Sequence, residues 1–214
     1  MNKIQLLKSL KGGGFSKDIL NAFSKVKREK FIPENMKSRA YEDTALPIGE
    51  CQTISQPYTI ATMLSLLSLK PGQKVLEAGS GCGYVLALIS EILGTKGKVY
   101  GIEVIKNLVD KSRINLQDYN NIKVYQGSGR NGLIETNLKE VDGQGTMVPY
   151  LDRIIISAAL EEIPDELANQ LKEGGVLVAP IGSPYEQTLT SFQKINGKLE
   201  VREELPGFAF VPFV

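Results

Sequence analysis

Apolar runs alternate with amphipathic segments through the central part of the chain. Runs of mostly apolar residues predict five strands, at 74–78, 98–103, 122–126, 152–157 and 176–181. Apolar residues at helical spacing predict three helices, at 84–93, at 106–118 and from Pro164 to the glycines at 174 and 175. Strands this apolar, joined by helices, are typical of a parallel sheet that is covered on both faces.

The N-terminal part of the chain does not follow this alternation. Residues 16–27 begin with Ser16, a good helix cap, and carry one apolar stripe, so we expect two short helices separated by the glycines at 12–14. Proline-punctuated pieces at 31–57 predict loops and extended segments, because proline and the residue before it both resist helix. An apolar helix is predicted at 58–69.

The C-terminal part predicts antiparallel strands. Asn196-Gly197 is a strong signal for a type I′ turn, and it lies between strand-like segments at 188–194 and 198–203. Residues 207–214 predict a last apolar strand.

Together these elements predict an α/β fold, a doubly wound and mostly parallel sheet with an antiparallel C-terminal hairpin and a helical N-terminal addition. We expect residues 1–57 to form this addition, packed on a Rossmann-like domain of residues 58–214 in a single compact unit. The length of 214 residues suits one domain with an appendage.

Charge and missing residue types exclude several classes of function. Lys and Arg number 25 and Asp and Glu 24, and a net charge of +1 argues against a protein that coats nucleic acid or an anionic membrane. Because the chain has no histidine, Ser-His-Asp triads, His-Cys dyads and histidine metal sites are impossible. Cys51 and Cys82, without further soft ligands, support neither a zinc site nor a disulfide framework, so no metal is predicted.

The N-terminus has no apolar segment of the kind that signal peptides carry, and no apolar run reaches the roughly 18 residues of a membrane span. We therefore predict a cytoplasmic protein. Residues 1–30 include seven lysines and Arg28 against two acidic side chains. We interpret these charges as the solvated faces of two short helices, with a basic patch that binds a partner as the alternative.

Glycines at every second position follow the first predicted strand. The pattern Glu-x-Gly-x-Gly-x-Gly runs from Glu77 to Gly83 and leads directly into a helix. Glycines there let a ligand approach the backbone, and the helix N-terminus offers unpaired N–H groups. The dinucleotide fingerprint would need glycine where Tyr84 stands, so the spacing instead matches S-adenosylmethionine enzymes of similar topology. A tight strand-to-helix turn without a ligand is the alternative.

Two further strand ends carry candidate ligand-binding residues. Glu103 ends the second strand, where a carboxylate can accept hydrogen bonds from both ribose hydroxyls of a nucleoside. The third strand runs into Ser128-Gly129, a place where an adenine base could bind. Alternatively, Glu103 is a solvent-exposed strand-end glutamate and the second segment a generic loop. The glycine loop and Glu103 together favour a nucleoside-containing ligand.

Several longer motifs resemble the protein-L-isoaspartate O-methyltransferase family, in its order and spacing. The most specific are Leu-Pro-Ile-Gly at 46–49 and Gln-Thr-Ile-Ser-Gln-Pro at 52–57. The others lie at 28–33, 40–43, 152–155, 158–159, 163–164, 171–175, 178–182 and 210–212. The resemblance covers residues 15–214 and implies the class I S-adenosylmethionine-dependent methyltransferase type of fold.

The resemblance implies a repair enzyme that methylates the α-carboxylate of L-isoaspartyl residues in damaged proteins and peptides. S-adenosyl-L-methionine would be the cofactor and S-adenosyl-L-homocysteine the product. It implies Ser55 as the catalytic residue, and Gln56, Pro57, Tyr58 and Ala158 at the substrate. The implied cofactor-binding residues are Thr53, Ile54, Glu77, Gly79, Ser80, Gly81, Gly83, Glu103, Val104, Ser128 and Gly129.

This chemistry suits a chain without histidine. An α-carboxylate has a pKa near 3.5 and is already ionised at pH 7, so it needs no general base. Methyl transfer from a sulfonium is an in-line displacement, in which positioning supplies most of the catalysis. It also neutralises an anion and a cation, so a dry pocket favours it. Ser55 would orient the substrate carboxylate by a hydrogen bond; taken without the family, its hydroxyl would instead satisfy backbone in a turn.

The chain departs from the family pattern at four places. Tyr58 stands where the family usually has histidine, and Leu160-Glu161 where a small residue or proline is typical. Ser128 replaces an aspartate, and the lost charged hydrogen bond would weaken cofactor binding by about 1.5–3 kcal/mol, about 10- to 150-fold. Residues 133–149 are longer than the usual connection and are expected to form a flexible surface loop.

These departures keep two alternatives open: a methyltransferase for a different carboxylate acceptor, and a cofactor-binding homologue with little activity. A nucleic-acid methyltransferase is disfavoured by the neutral charge and by the absence of an Asn-Pro-Pro-Tyr or Asp-Pro-Pro-Tyr motif. The predicted partners are isoaspartyl proteins and peptides, with no nucleic acid and no membrane, and the protein is expected to be a monomer.

Overall fold

In the computed structural model, which describes residues 1–134 and 151–213, nine strands form a hairpin and a larger sheet. The hairpin consists of β1 (Leu46–Gly49) and β2 (Gln52–Ile54). The sheet consists of β3 (Lys74–Ala78), β4 (Lys98–Glu103), β5 (Ile122–Gln126), β6 (Leu151–Ile156), β7 (Leu171–Gly182), β8 (Gln187–Ile195) and β9 (Lys198–Phe208). The helices are α1 (Lys3–Gly12), α2 (Lys17–Lys25), α3 (Pro57–Leu67), α4 (Tyr84–Leu93), α5 (Lys106–Asn115) and α6 (Asp165–Gln170). Short 3₁₀ turns cover Arg28–Lys30, Glu34–Arg39 and Gly129–Asn131.

The strand order in the large sheet is β5-β4-β3-β6-β7-β8-β9. Strands β5, β4, β3, β6 and β7 are parallel, and β8 and β9 continue the sheet as antiparallel strands. This arrangement confirms the predicted α/β fold. The strand order reverses direction between β3 and β6, and ligands of open α/β sheets bind in the crevice at such a point, beyond the carboxyl ends of the strands.

The N-terminal helices pack on the same core as the sheet. Leu6 and Leu10 of α1 and Phe23 of α2 belong to one buried cluster with residues of α3, α4 and the strands. The break between α1 and α2 confirms the predicted separation at 12–14, and Ser16 Oγ caps α2 by accepting from the Ile19 amide at 3.4 Å. The division into residues 1–57 and 58–214 stays a prediction. No helix in the described ranges is both long and apolar enough to cross a bilayer.

Some of the predicted helices end earlier than expected, and the helix predicted at 106–118 ends at Asn115. The helix expected to run from Pro164 to the glycines at 174 and 175 ends at Gln170, and the chain enters β7 at Leu171. Gly174 and Gly175 therefore lie inside a strand, near an irregular pairing with β6. Gly174 has a positive φ of 72°, and a Cβ at Gly175 would lie 2.7 Å from Leu171 Cγ, so these glycines shape a bulge in the strand.

The predicted last strand at 207–214 was also wrong. Strand β9 extends the predicted 198–203 segment as far as Phe208. Beyond it, residues 209–213 make one parallel bridge, Ala159 with Pro212. Pro212 has no N–H to donate, which limits this segment to isolated contacts. The turn at Asn196-Gly197 is confirmed, with φ values of 52° and 77°. Most of the loop predicted at 133–149 lies outside the described residues.

Candidate active site

The glycine loop joins β3 to α4 at the point where the strand order reverses. Gly79, Gly81 and Gly83 have φ values of 77°, 51° and 86°, a region in which residues with a Cβ are strained. The amides of Gly79 and Ser80 both donate to the Ile102 carbonyl, at 2.9 and 3.0 Å. These hydrogen bonds hold the loop against the end of β4. Its glycines are needed because the backbone of the loop has positive φ at all three of them.

The side chain of Glu103 lies against the glycine loop and is hydrogen-bonded to it. This side chain is buried at the end of β4, so the reading as a solvent-exposed glutamate is wrong. Glu103 Oε2 accepts from the Gly81 amide at 2.8 Å, and Oε1 accepts from the Ile105 amide at 2.9 Å. Two backbone amides thus hold the carboxylate in one orientation beside the loop, and charge-assisted bonds of this kind are among the stronger hydrogen bonds in proteins.

A cavity lies over the loop and the end of β4. It is lined by residues of the loop and of the end of β4, among them Gly79, Gly81 and Glu103, and by Gly129, Ala158 and Phe213. A Cβ at Gly129 would lie 2.6 Å from the Phe213 ring, so glycine at this position lets the C-terminal segment close the cavity. Glu103 is the one charged side chain among the described residues that line the cavity, and Gln52, Thr53 and Ser157 line it with polar side chains.

A second cavity, a groove of about 540 Å³, lies beside the first. It is lined by the segments around Thr44 and Ser55 and by the C-terminal residues Phe208, Phe210 and Val211. None of the described residues that line the groove has a charged side chain. Ser55 is half-buried, and its hydroxyl makes no hydrogen bond to another described residue. It is therefore free to bind a polar group in the groove.

Thr53 and Ser157 line both cavities. A third and smaller cavity, which we call the passage, shares Thr53 and Ser157 with both of them and is also lined by Ser55, Glu77 and Ser80. The cavity over the glycine loop and the groove with Ser55 therefore meet, and a group bound in one can contact a group bound in the other. A reaction between two bound molecules needs this arrangement.

Glu77 lies at this passage and is almost completely buried. Its Oε1 accepts from Ser157 Oγ at 2.7 Å, while Oε2 has no hydrogen-bond partner among the described residues. Burial raises the pKa of Glu77 to about 8, the nearby Glu103 carboxylate adds to the rise, and the hydrogen bond from Ser157 opposes it. Ser80 Oγ is a second buried polar atom without a partner in the described ranges.

The structure brings most of the predicted site residues to these cavities. Thr53, Gly79, Gly81, Glu103, Val104, Gly129 and Ala158 line the cavity over the loop, and Thr53, Ser55, Gln56 and Tyr58 line the groove. Ile54, Glu77 and Ser80 line the passage. Ala158 was predicted to contact substrate, but it lines the cavity over the glycine loop and not the groove that contains Ser55.

Three predicted residues line none of these three cavities. Gly83 caps α4, and a Cβ there would lie 2.7 Å from Leu116 Cδ1, so packing of α4 against the end of α5 explains the glycine. Pro57 is the buried first residue of α3. Ser128 caps a 3₁₀ turn, where its hydroxyl accepts from the Arg130 amide at 3.4 Å. Their contacts with ligands stay predictions.

The sequence reasoning missed Ser157, Ile105 and Phe213. Ser157 directly follows β6, which borders the point of reversal, so the carboxyl end of that strand was the available signal. Ile105 contributes through its backbone amide, and no side-chain pattern reports this contact. Phe213 lies next to the 210–212 motif, but only the three-dimensional path of the C-terminus brings it over Gly129.

Known proteins resemble this chain over its whole length. The family model for protein-L-isoaspartate(D-aspartate) O-methyltransferase matches residues 1–214. A protein-L-isoaspartate O-methyltransferase from Methanothrix thermoacetophila is 41% identical over 216 residues, which cover 100% of this chain and 95% of the relative.

Two solved structures extend the likeness to the fold. One, from Plasmodium falciparum, is named as a protein-L-isoaspartate O-methyltransferase in complex with S-adenosyl-L-homocysteine. It is 28% identical with a TM-score of 0.82, over 100% of this chain and 99% of the other. Another structure of the same name is also 28% identical, with a TM-score of 0.86 over 99% of this chain, and this chain spans 65% of its length. The chain therefore belongs to the protein-L-isoaspartate(D-aspartate) O-methyltransferase family.

Proposed function

We propose that this protein transfers a methyl group from S-adenosyl-L-methionine to the α-carboxylate of L-isoaspartyl residues in damaged proteins and peptides. The observation that carries the proposal is the junction at Thr53 and Ser157, where the cavity over the glycine loop meets the groove that contains Ser55. A methyl donor and a carboxylate acceptor need two such adjoining sites. The methyl ester would then collapse to a succinimide, whose hydrolysis regenerates some normal aspartate.

The residues over the glycine loop fit S-adenosyl-L-methionine. Gly79 and Gly81 leave the backbone open to a ligand, and Glu103 presents a fixed carboxylate for ribose hydroxyls. The amide-bound Glu103 side chain and the polar side chains of Gln52 and Thr53 give the cavity hydrogen-bonding groups for such a ligand. When bound, the cofactor supplies an electrophilic methyl group on a sulfonium, and S-adenosyl-L-homocysteine is its product.

Ser55 would orient the acceptor. Its hydroxyl lies in the groove without a partner from the described chain, so it can donate a hydrogen bond to one carboxylate oxygen. The carboxylate is ionised at pH 7 and attacks without a base. Phe208 and Phe210 also line the groove, whose described lining residues have no charged side chain. An apolar surrounding of this kind favours a reaction that neutralises an anion and a cation.

Methyl transfer to matched peptides tests the proposal. With labelled S-adenosyl-L-methionine, we expect label on a peptide with one isoaspartyl residue and none on the aspartyl peptide of the same sequence. Equal labelling of both peptides would refute the proposal. Faster labelling of a free carboxylic acid than of the isoaspartyl peptide would favour a different acceptor. Absence of binding heat with S-adenosyl-L-methionine and S-adenosyl-L-homocysteine would indicate a homologue with a degenerate site.

Replacing Ser55 tests its assigned role. Ser55→Ala should lower turnover on the isoaspartyl peptide by about 10-fold or more, since one hydrogen bond to a charged group contributes about 1.5–3 kcal/mol. The affinity for S-adenosyl-L-homocysteine should stay within about twofold. Ser65→Ala, at an exposed serine on α3, is the matched control and should leave both values unchanged. Wild-type turnover in Ser55→Ala would remove Ser55 from this role.

Membership of the family gives the substrate class, which is isoaspartyl proteins and peptides. A monomeric state, a cytoplasmic location and the lack of nucleic-acid partners stay predictions. Gel filtration at several protein concentrations tests the first of these.

A further inference from the structure

Arg28 is a completely buried cation behind the acceptor groove. It begins a 3₁₀ turn, and none of its surface is exposed to solvent. The interpretation of the N-terminal basic residues as solvated faces is therefore wrong for Arg28, while Lys27 next to it is exposed.

The guanidinium of Arg28 joins two segments of the groove wall from behind. Its Nη1 donates to the Ser55 carbonyl at 2.9 Å, and its Nη2 donates to the Thr44 carbonyl at 3.1 Å. Both Ser55 and Thr44 line the groove. Asp43 Oδ1 accepts from the Tyr58 amide at 2.8 Å, which ties the same two segments together a second time. The position of the Ser55 hydroxyl thus depends on a fixed backbone.

No carboxylate contacts this cation within the described ranges. The salt bridges found among those residues do not include Arg28, and its Nε has no hydrogen-bond partner there. The guanidinium instead lies over the Tyr84 ring, 5.4 Å from its centroid. Burial lowers the pKa of Arg28, but a guanidinium keeps its proton in proteins. A buried cation that no carboxylate contacts directly is costly in any fold. The nearby Asp43 carboxylate offsets only part of this cost, since burial still leaves the pKa of Arg28 lowered.

A negative charge in the groove would offset this cost. The groove has no charged side chain among its described lining residues, so a bound carboxylate finds no cation at the surface. Arg28 is hydrogen-bonded to the backbone of Ser55, so its positive charge lies close to the groove. The electrostatic potential of this charge is weakly screened inside a protein, where the dielectric constant is low. The same residue can therefore fix the hydroxyl and attract the anion that the hydroxyl binds.

We propose that Arg28 is a positioning residue of the acceptor site, which fixes Ser55 through its carbonyl and makes the groove selective for a carboxylate. The proposal rests on the proposed function for the identity of the acceptor. Two hydrogen bonds to carbonyls require the planar fork of arginine, whereas the attraction requires only a positive charge. Lysine and methionine at this position therefore separate the two roles.

The test uses the full chain and the variants Arg28→Met and Arg28→Lys, with Lys27→Met as the control for loss of an exposed charge beside the site. In the presence of S-adenosyl-L-homocysteine, calorimetry compares binding of the isoaspartyl peptide with binding of its neutral α-amide. We expect the wild-type protein and Lys27→Met to bind the carboxylate peptide at least about 10-fold more tightly than the amide. Arg28→Met should lose this preference, and Arg28→Lys should keep most of it.

Turnover and cofactor affinity complete the test. We expect Arg28→Met to lower kcat/KM for the isoaspartyl peptide at least about 100-fold, and Arg28→Lys to lower kcat with a smaller change in KM. Affinity for S-adenosyl-L-homocysteine should stay within about threefold in both. An unchanged preference for the carboxylate in Arg28→Met would overturn the proposal, and so would a parallel loss of cofactor affinity in both variants, which is the mark of general damage.

If Arg28→Met fails to fold, Arg28→Lys by itself tests the positioning role, and a wild-type kcat in Arg28→Lys would overturn that role.

The proposed function and the role of Arg28 can fail independently of each other. A wild-type protein that binds the carboxylate peptide selectively but does not methylate it contradicts the proposed function, whereas the peptide preference of the variants still decides the role of Arg28.

Discussion

Glu77 makes the stability of this fold depend on pH, and replacing it with glutamine should remove that dependence. The carboxyl group is almost completely buried. One of its oxygens accepts a hydrogen bond from Ser157, and the other has no hydrogen-bond partner in the described ranges. Glutamine has nearly the same shape and keeps an oxygen to accept from Ser157 Oγ, but it cannot ionise. Glu77→Gln therefore isolates the effect of the charge.

The magnitude follows from the pKa of Glu77, which is about 8 in the folded protein against an ordinary value of 4.5. Below pH 4.5 the carboxyl is protonated in both states. As pH rises from 4.5 to 8, the unfolded chain releases this proton while the folded protein keeps it, so the free energy of unfolding falls. At about 1.4 kcal/mol for each pH unit between the two pKa values, the full loss is about 5 kcal/mol.

Urea unfolding between pH 5 and 8.5 measures this effect. The wild-type free energy of unfolding should fall relative to that of Glu77→Gln across the range, so that the variant is more stable by about 2–5 kcal/mol at pH 8.5. Glu34→Gln, at a largely exposed glutamate, is the control and should follow the wild-type curve. A constant difference between wild type and Glu77→Gln would show that Glu77 ionises normally, and it would refute the reasoning.

Three further substitutions test other parts of the site. Gly83→Ala places a Cβ at a residue with a φ of 86° and only 2.7 Å from Leu116. It should lower the free energy of unfolding, measured with urea, by about 1–3 kcal/mol. An unchanged free energy would contradict the packing role of Gly83. Ser128→Asp should tighten S-adenosyl-L-methionine binding at least about 10-fold by calorimetry, without loss of stability because aspartate also caps a helical turn. Gln187→Ala removes the side-chain oxygen that accepts from the Phe210 amide at 2.7 Å. The KM for the isoaspartyl peptide should then rise several-fold, while the affinity for the cofactor stays unchanged. A wild-type KM would show that this hydrogen bond does not shape the groove.

The central part of the fold could be predicted because its local signals agree with its packing. Strands β3, β4 and β5 are apolar runs between turn residues, and their predicted bounds match the structure. The glycine loop and Glu103 were predictable because parallel strands bring their carboxyl ends to one edge.

The remaining errors have tertiary causes. Gly174 and Gly175 signal the end of a helix, but β7 pairs with β6 at Leu171 and pairs with β6 and β8 from Val176 onward, so the two glycines lie in an irregular part of the strand. The apolar residues at 209–213 line the cavities of the site and form no strand ladder. Arg28 looks like one more exposed basic residue, and its burial depends on carbonyls 16 and 27 positions away in the chain. No local pattern contains this information.

A crystal structure with S-adenosyl-L-homocysteine and an isoaspartyl peptide tests the central claim most directly. We predict the homocysteine sulfur in the cavity beside Gly79 and Gly81, and the peptide in the groove with one oxygen of its α-carboxylate within hydrogen-bond distance of Ser55 Oγ. The carboxylate and the sulfur should face each other across the passage between Thr53 and Ser157. A nucleoside bound elsewhere, or a peptide carboxylate that points away from this passage, would contradict the account.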